Sequence, residues 1–224
     1  MRLVLASVST RRRELLRQCD IDCEVQSADL EEAAREGEQP EETAVRLSRE
    51  KARAVLHRLK GRAAWILAAD TVVADGPVIL GKPEDERQAR EFLLRLCGRE
   101  HRVISGVCLL HAPTEREFTA VERTTVRMRN YSSAEVEAYL ATGDAMDKAG
   151  AYAIQHPSFR PVESLAGCYT NVVGLPVCRV YDLLERAGER PSRPLPEGCR
   201  AGGACGFDET KFPRSIRTRR RAKS

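Results

Sequence analysis

An aspartate stands in the middle of an apolar run, Trp65-Ile66-Leu67-Ala68-Ala69-Asp70-Thr71-Val72-Val73. An ionised carboxylate is costly to bury alone, so it neutralises, pairs with a cation, or holds a metal. A run this apolar reads as a strand inside a sheet. Asp70 is therefore expected to open onto a cleft, the alternative being a structural carboxylate that holds a loop or an arginine. Its neighbours in sequence decide between the two.

Ser7-Val8-Ser9-Thr10-Arg11-Arg12-Arg13 follows a short apolar run and opens a helix. Cations in a first turn oppose the helix dipole, and a bound anion reverses that penalty. Arginine is the side chain suited to bidentate phosphate contact, so this segment is a candidate phosphate site. Lys51 lies on the inward stripe of a helix, in phase with Ala44, Leu47 and Val55. An inward lysine needs an anion, internal or bound. Gly76-Pro77-Val78-Ile79-Leu80-Gly81-Lys82-Pro83 nearly fits the P-loop spacing. It fails because Pro83 replaces the metal-binding hydroxyl and the loop interior is apolar. Lys82 still precedes a helix, where it can meet a phosphate. Asp29, Glu31 and Glu32 form an acidic cluster that, with Asp70, could complete a site for a hard cation.

The elements that must position these groups alternate. Strands are expected over 2–6, 21–25, 65–73, 78–80 and 152–154, with a hairpin of 103–110 and 118–128. Helices are expected over 11–18, 40–59, 83–96, 134–141 (capped by Ser132 or Ser133) and 171–187. Pro40 suits the first turn of its helix, and Asp75-Gly76 reads as a turn. The pattern is α/β with a mixed sheet.

With 42% hydrophobic and 31% charged residues, the composition suits a globular protein with a real core. No stretch reaches the length of a membrane span, and Leu3-Val4-Leu5-Ala6 is too short for a signal-peptide core, so a cytoplasmic protein is expected. The eight cysteines include no C-x-x-C pair, and the four histidines are dispersed. A zinc site is not expected. Cys199 and Cys205 are close enough for a local disulfide or metal clip, and neither is expected. From Gly188 onward there are ten Lys/Arg and four Asp/Glu, rich in Pro and Gly and ending on Arg219-Arg220-Arg221. Residues 1–187 are read as the folded unit and 188–224 as a basic, largely disordered tail.

Taken together, Leu5-Ala6-Ser7-x-Ser9-x-Arg11-Arg12, Glu50-Lys51-Ala52, Ala69-Asp70-Thr71-Val72-Val73, Gly81-Lys82-Pro83, Asp147-Lys148-Ala149-Gly150-Ala151-Tyr152-x-Ile154-Gln155 and Asn171-Val172-Val173-Gly174-Leu175-Pro176 resemble the Maf family of nucleoside triphosphate pyrophosphatases, also named septum formation inhibitors. The resemblance covers residues 2–187. It implies an elongated α/β fold with two lobes around a cleft, similar to the inosine triphosphate pyrophosphatases. It implies cleavage of a nucleoside triphosphate to monophosphate and diphosphate with a divalent metal, Mg²⁺ or Mn²⁺. On this resemblance Asp70 is the general base and, with Glu32, a metal ligand. Ser7, Arg12, Lys51 and Lys82 take the phosphates. Arg11, Thr71 and Gln155 match positions tied to base choice, and Asp70-Thr71 with Ala151-Tyr152-x-Ile154-Gln155 resembles the branch acting on dTTP and UTP. His156-Pro157-Ser158-Phe159-Arg160-Pro161 departs from a usually glycine-rich stretch. The alternatives are a pyrophosphatase for 7-methyl-GTP or modified nucleotides, and a non-catalytic regulator of division that binds nucleotide or nucleic acid. The expected partners are the nucleotide and a second copy of the chain, with no membrane, and nucleic acid only through the basic tail.

Overall fold

Leu3–Leu5 forms β1, buried along its length, and Glu24–Val25 pairs beside it in parallel as β2. The apolar run around Asp70 becomes the 11-residue strand β3, Trp65–Asp75. Its first residues pair in parallel with β1, and its last turn back through Gly76 to the short β4, Val78–Leu80. The hairpin strands β5, Glu100–His111, and β6, Glu117–Met128, follow antiparallel, and β7, Val162–Ala166, closes the other end. The sheet order is β2-β1-β3-β5-β6-β7, with β4 added to the end of β3. A mixed sheet with flanking helices is the α/β architecture expected from the alternating pattern.

The computed structural model describes residues 1–30, 32–59 and 61–195. Glu31, Lys60, Cys199, Cys205 and the rest of the tail from 196 onward lie outside the described residues. Residues 188–195 lie against the domain. The Trp65 indole N–H donates to Glu189 at 2.9 Å, and Ser192 donates to the Asp20 carbonyl at 3.1 Å.

Alternation along β3 splits its side chains between two faces. Ile66, Ala68, Asp70 and Val72 face α2, Pro40–Arg58, which lies across β3 and β5. Close approach there depends on Gly106, the β5 partner of Asp70. A β-carbon at Gly106 would stand 2.3 Å from the Ala44 carbonyl oxygen of α2. Trp65, Leu67 and Ala69 instead face a second core built with α1, Thr10–Gln18, and α6, Val177–Arg186. A third cluster packs α3, Glu86–Leu96, and α4, Ser133–Leu140, against Val73, Val103 and Val126. Ser132 caps α4 in a capping box with Glu135.

Three expectations need correction. Residues 152–154 are not a strand. A 3₁₀ turn at Ala149–Ala151, with positive φ at Gly150 and Ala151, delivers Tyr152 into the core, and the edge strand is β7 instead. The helix expected over 171–187 is two: α5, Tyr169–Val173, and α6, separated at Gly174 (φ 125°) and Pro176. Proline has no N–H for the ladder, and a φ of this sign is open chiefly to glycine. The third helix begins at Glu86 rather than at Pro83, because the Asp85 side chain caps it by accepting from the Gln88 N–H.

Candidate active site

β1 ends its pairing at Leu67 and β4 begins at Val73, so among the described residues β3 has no strand neighbour on this side from Ala68 to Val72. A cleft of about 860 Å³ opens along that free edge. All nine side chains expected from sequence line it: Ser7, Arg11, Arg12, Glu32, Lys51, Asp70, Thr71, Lys82 and Gln155. Asp29 is turned away and pairs with Arg58 at 3.0 Å. Glu31, the other acid of that cluster, lies outside the described residues.

On the α2 side of the edge the groups are charged and joined. Asp70 and Lys51 are 4% and 5% exposed. Lys51 Nζ lies 2.6 Å from Asp70 Oδ1 and 2.6 Å from Glu32 Oε1, and Lys82 Nζ lies 2.8 Å from Glu32 Oε2. Lys51 reaches the carboxylate because its helix is seated on Gly106. The helical phase that placed it inward on the sequence is thus realised by one glycine the periodicity does not contain. Burial raises the proton affinity of the Glu32 carboxyl. The charges and hydrogen bonds of Lys51 and Lys82 outweigh burial and hold it at about 2.

On the opposite side the groups are held mostly by neutral partners. Ser9 caps α1, and its own N–H donates to Ser7 Oγ at 3.2 Å. Arg12 donates through Nε to the Gly174 carbonyl at 2.8 Å, through one terminal nitrogen to Ser7 Oγ at 3.1 Å, and through the other to Thr71 Oγ1 at 3.4 Å. No carboxylate pairs with Arg12 among the described residues. Burial lowers its proton affinity, an effect offset in part by Asp70 and Glu32 across the edge. Thr71 Oγ1 lies 2.7 Å from the buried Ser105 Oγ, its cross-strand partner on β5. Arg11 stands 3.8 Å from Asp147 across the cleft mouth. Gln155 Nε2 is buried with no hydrogen-bond partner among the described residues. Tyr152 completes this wall, its hydroxyl 2.7 Å from His101 Nε2.

Sequence reasoning missed Ser105, His101 and Gly106, and named Gly174 within the 171–176 motif without its contact to Arg12. Of the three missed, only Gly106 carried a signal, as an isolated glycine within an apolar strand. Ser105 and His101 matter through partners far away in the chain.

The sequence matches the family described as Maf-like protein over residues 2–187. The chain belongs to the Maf family. Among its Maf relatives, a protein of Myxococcus xanthus (strain DK1622) is 50% identical over 186 residues, 83% of this chain and 92% of that one. One from Anaeromyxobacter sp. (strain Fw109-5) is 44% identical over 208 residues, 92% of this chain and 97% of the relative. One from Syntrophotalea carbinolica is 43% identical over 83% of this chain and 84% of the relative. Each bears the name dTTP/UTP pyrophosphatase. The Ham1 protein of Staphylococcus aureus aligns over 57% of this chain and 72% of its own, at 14% identity and a TM-score of 0.38, a likeness too slight to bear on the fold. Among the described residues of this Maf chain, no helix is long and apolar enough to cross a membrane.

Proposed function

We propose that the chain hydrolyses dTTP and UTP to the monophosphate and diphosphate. The observation that carries this reading is the buried carboxylate of Asp70, held by Lys51 at the free edge of β3, with Lys82 and Arg12 lining the same cleft as cations for a triphosphate. Water attacks at the α–β phosphoanhydride. Asp70 accepts its proton through the oxygen not taken by Lys51. Lys51, Lys82 and Arg12 offset the charge gathering on the departing diphosphate. Asp70 and Glu32 offer hard carboxylate oxygens converging on one ammonium, a donor set that fits Mg²⁺ or Mn²⁺ sharing its shell with phosphate oxygens. When bound there, the metal supplies further neutralisation of phosphate charge.

Choice of base falls to Gln155, Arg11 and Thr71. The buried amide of Gln155 can donate and accept, which suits the O4 and N3–H edge of uracil and thymine. A wrong base leaves that amide unsatisfied, and such sites discriminate strongly. The test is diphosphate release from a nucleotide panel, with and without Mg²⁺ or Mn²⁺. dTTP and UTP are expected to be cleaved well, and ATP and 7-methyl-GTP poorly. Equal cleavage of all, or preference for 7-methyl-GTP, refutes the base assignment. No release from any nucleotide refutes the reaction.

A further inference from the structure

We propose that Cys168 and Cys178 are an oxidisable dithiol that takes a peroxide as oxidant and closes to a disulfide, loosening the hold of Gly174 on Arg12. The two sulfurs lie 3.9 Å apart, touching. They flank the corner between α5 and α6, and the bridge would enclose residues 169–177. That corner carries the Gly174 carbonyl, which accepts from Arg12 Nε and lies 3.3 Å from Thr71 Oγ1.

Both ends of the corner are tied to β6. The Thr124 hydroxyl accepts from the Cys168 N–H at 3.0 Å and donates to the Cys168 carbonyl at 3.1 Å. Cys178 lies against Glu122, two residues along the same strand, and its neighbour Arg179 donates to Glu122 at 2.6 Å. A disulfide requires the sulfurs to close from 3.9 Å to about 2.05 Å. With the flanks held on β6, side-chain rotation and the corner itself must absorb the difference. The corner is where Arg12 is seated. Val172, Val173 and Gly174 line the cleft, and the two sulfurs lie buried behind them. Cys178 sits in the first turn of the ten-residue α6, and the Thr170 hydroxyl lies 3.1 Å from Cys168 Sγ.

The chemistry balances with hydrogen peroxide as the named oxidant. One sulfur attacks a peroxide oxygen, the O–O bond breaks, and water leaves, giving a sulfenic acid. The second sulfur attacks the first, the S–O bond breaks, and a second water leaves. The two thiols lose two electrons and both protons, and the peroxide is reduced to water.

The effect on rate rests on the proposed pyrophosphatase reading; formation of the bridge does not. The experiment treats the reduced full-length protein with hydrogen peroxide and maps it by peptide mass spectrometry without reduction. The expected result is a decrease of about 2 Da on the peptide holding both cysteines, one hydrogen from each thiol. The kcat/KM for dTTP is expected to fall by roughly tenfold, the scale of removing one charge-assisted hydrogen bond, and to return with dithiothreitol. Cys168→Ala and Cys178→Ala each keep the reduced rate and resist peroxide. Absence of the mass decrease overturns the dithiol. Equal peroxide sensitivity in either variant does the same. A bridge formed with the rate unchanged overturns the link to Arg12. A bridge formed in a protein that releases no diphosphate even when reduced supports the dithiol and refutes the pyrophosphatase.

Discussion

On the α2 face of β3, Asp70, Lys51, Glu32 and Lys82 form a continuous chain of ion pairs. On the other face, Thr71 meets a serine, a backbone carbonyl and an arginine that pairs with no carboxylate among the described residues. The first arrangement satisfies its charges internally and, on the proposed function, is partly undone when a triphosphate takes over the lysines. The second keeps one cation and one buried amide, Gln155, in waiting. It is also neutral where titration would be expected. Burial brings His101 down to about 4, so the imidazole facing Tyr152 is uncharged at neutral pH. One wall is therefore suited to charge-driven chemistry and the other to hydrogen-bond recognition, where an unpaired group is penalised whichever base is wrong.

The contrast breaks most severely at Asp70. Asp70→Asn is expected to lower kcat by roughly 10²–10⁴, the scale of one proton-transfer group. The fold survives, because Lys51 retains Glu32. Near-normal turnover by a folded Asp70→Asn protein makes the carboxylate structural. The neutral wall is tested next through His101. A free histidine protonates near 6.5 and this one near 4, so on acidification the unfolded chain takes up the proton first. Stability from this group is complete above about 6.5 and lost as pH falls to about 4, by about 3 kcal/mol. His101→Gln should flatten this part of the melting-temperature profile, and an unchanged profile places the acid sensitivity elsewhere.

Lys51→Ala and Lys82→Ala are each expected to cost about 1.5–3 kcal/mol in kcat/KM, the scale of a charge-assisted hydrogen bond to phosphate. Lys51→Ala alone should also lower the melting temperature, since it leaves the buried Asp70 unpaired. If the two variants melt alike, the ion-pair chain is not structural. Gln155→Ala sharpens the comparison from the other wall. Selectivity for UTP over other nucleotides should fall by roughly tenfold, about 1.4 kcal/mol of hydrogen bonding, with a smaller change in kcat for dTTP. An equal decrease on every nucleotide would put Gln155 among the phosphate groups. The smallest effect lies outside both walls. Ending the chain after Ala187 removes Glu189 from the Trp65 indole, a cost of about 1 kcal/mol, measured as a lower melting temperature with unaltered kcat.

Asp70 and Lys51 were legible because each broke a local pattern that physics enforces: a charge in an apolar strand, and a cation on an apolar helix stripe. The sheet and most helices followed from the same periodicities. The segment after Lys148 misled. Tyr152 and Ile154 are apolar because they enter the core from a turn, and Ala151 holds a positive φ that composition does not announce. The single helix read over 171–187 ignored what Gly174 and Pro176 do to a hydrogen-bond ladder. β7 was passed over because Glu163 and Ser164 are polar on an exposed edge strand. No local pattern reveals that Arg12 rests on a carbonyl 162 residues away.

The open edge of β3 has a consequence for how such a protein changes over time. Adjacent positions on that edge, 70 and 71, face opposite sides of one opening and meet separate sets of neighbours. A substitution at 71 meets Ser105, Gly174 and Arg12 and leaves Lys51 and Glu32 untouched. On the proposed reading, change at 71 can alter what the neutral wall accepts while the carboxylate beside it keeps its own ion-pair partners.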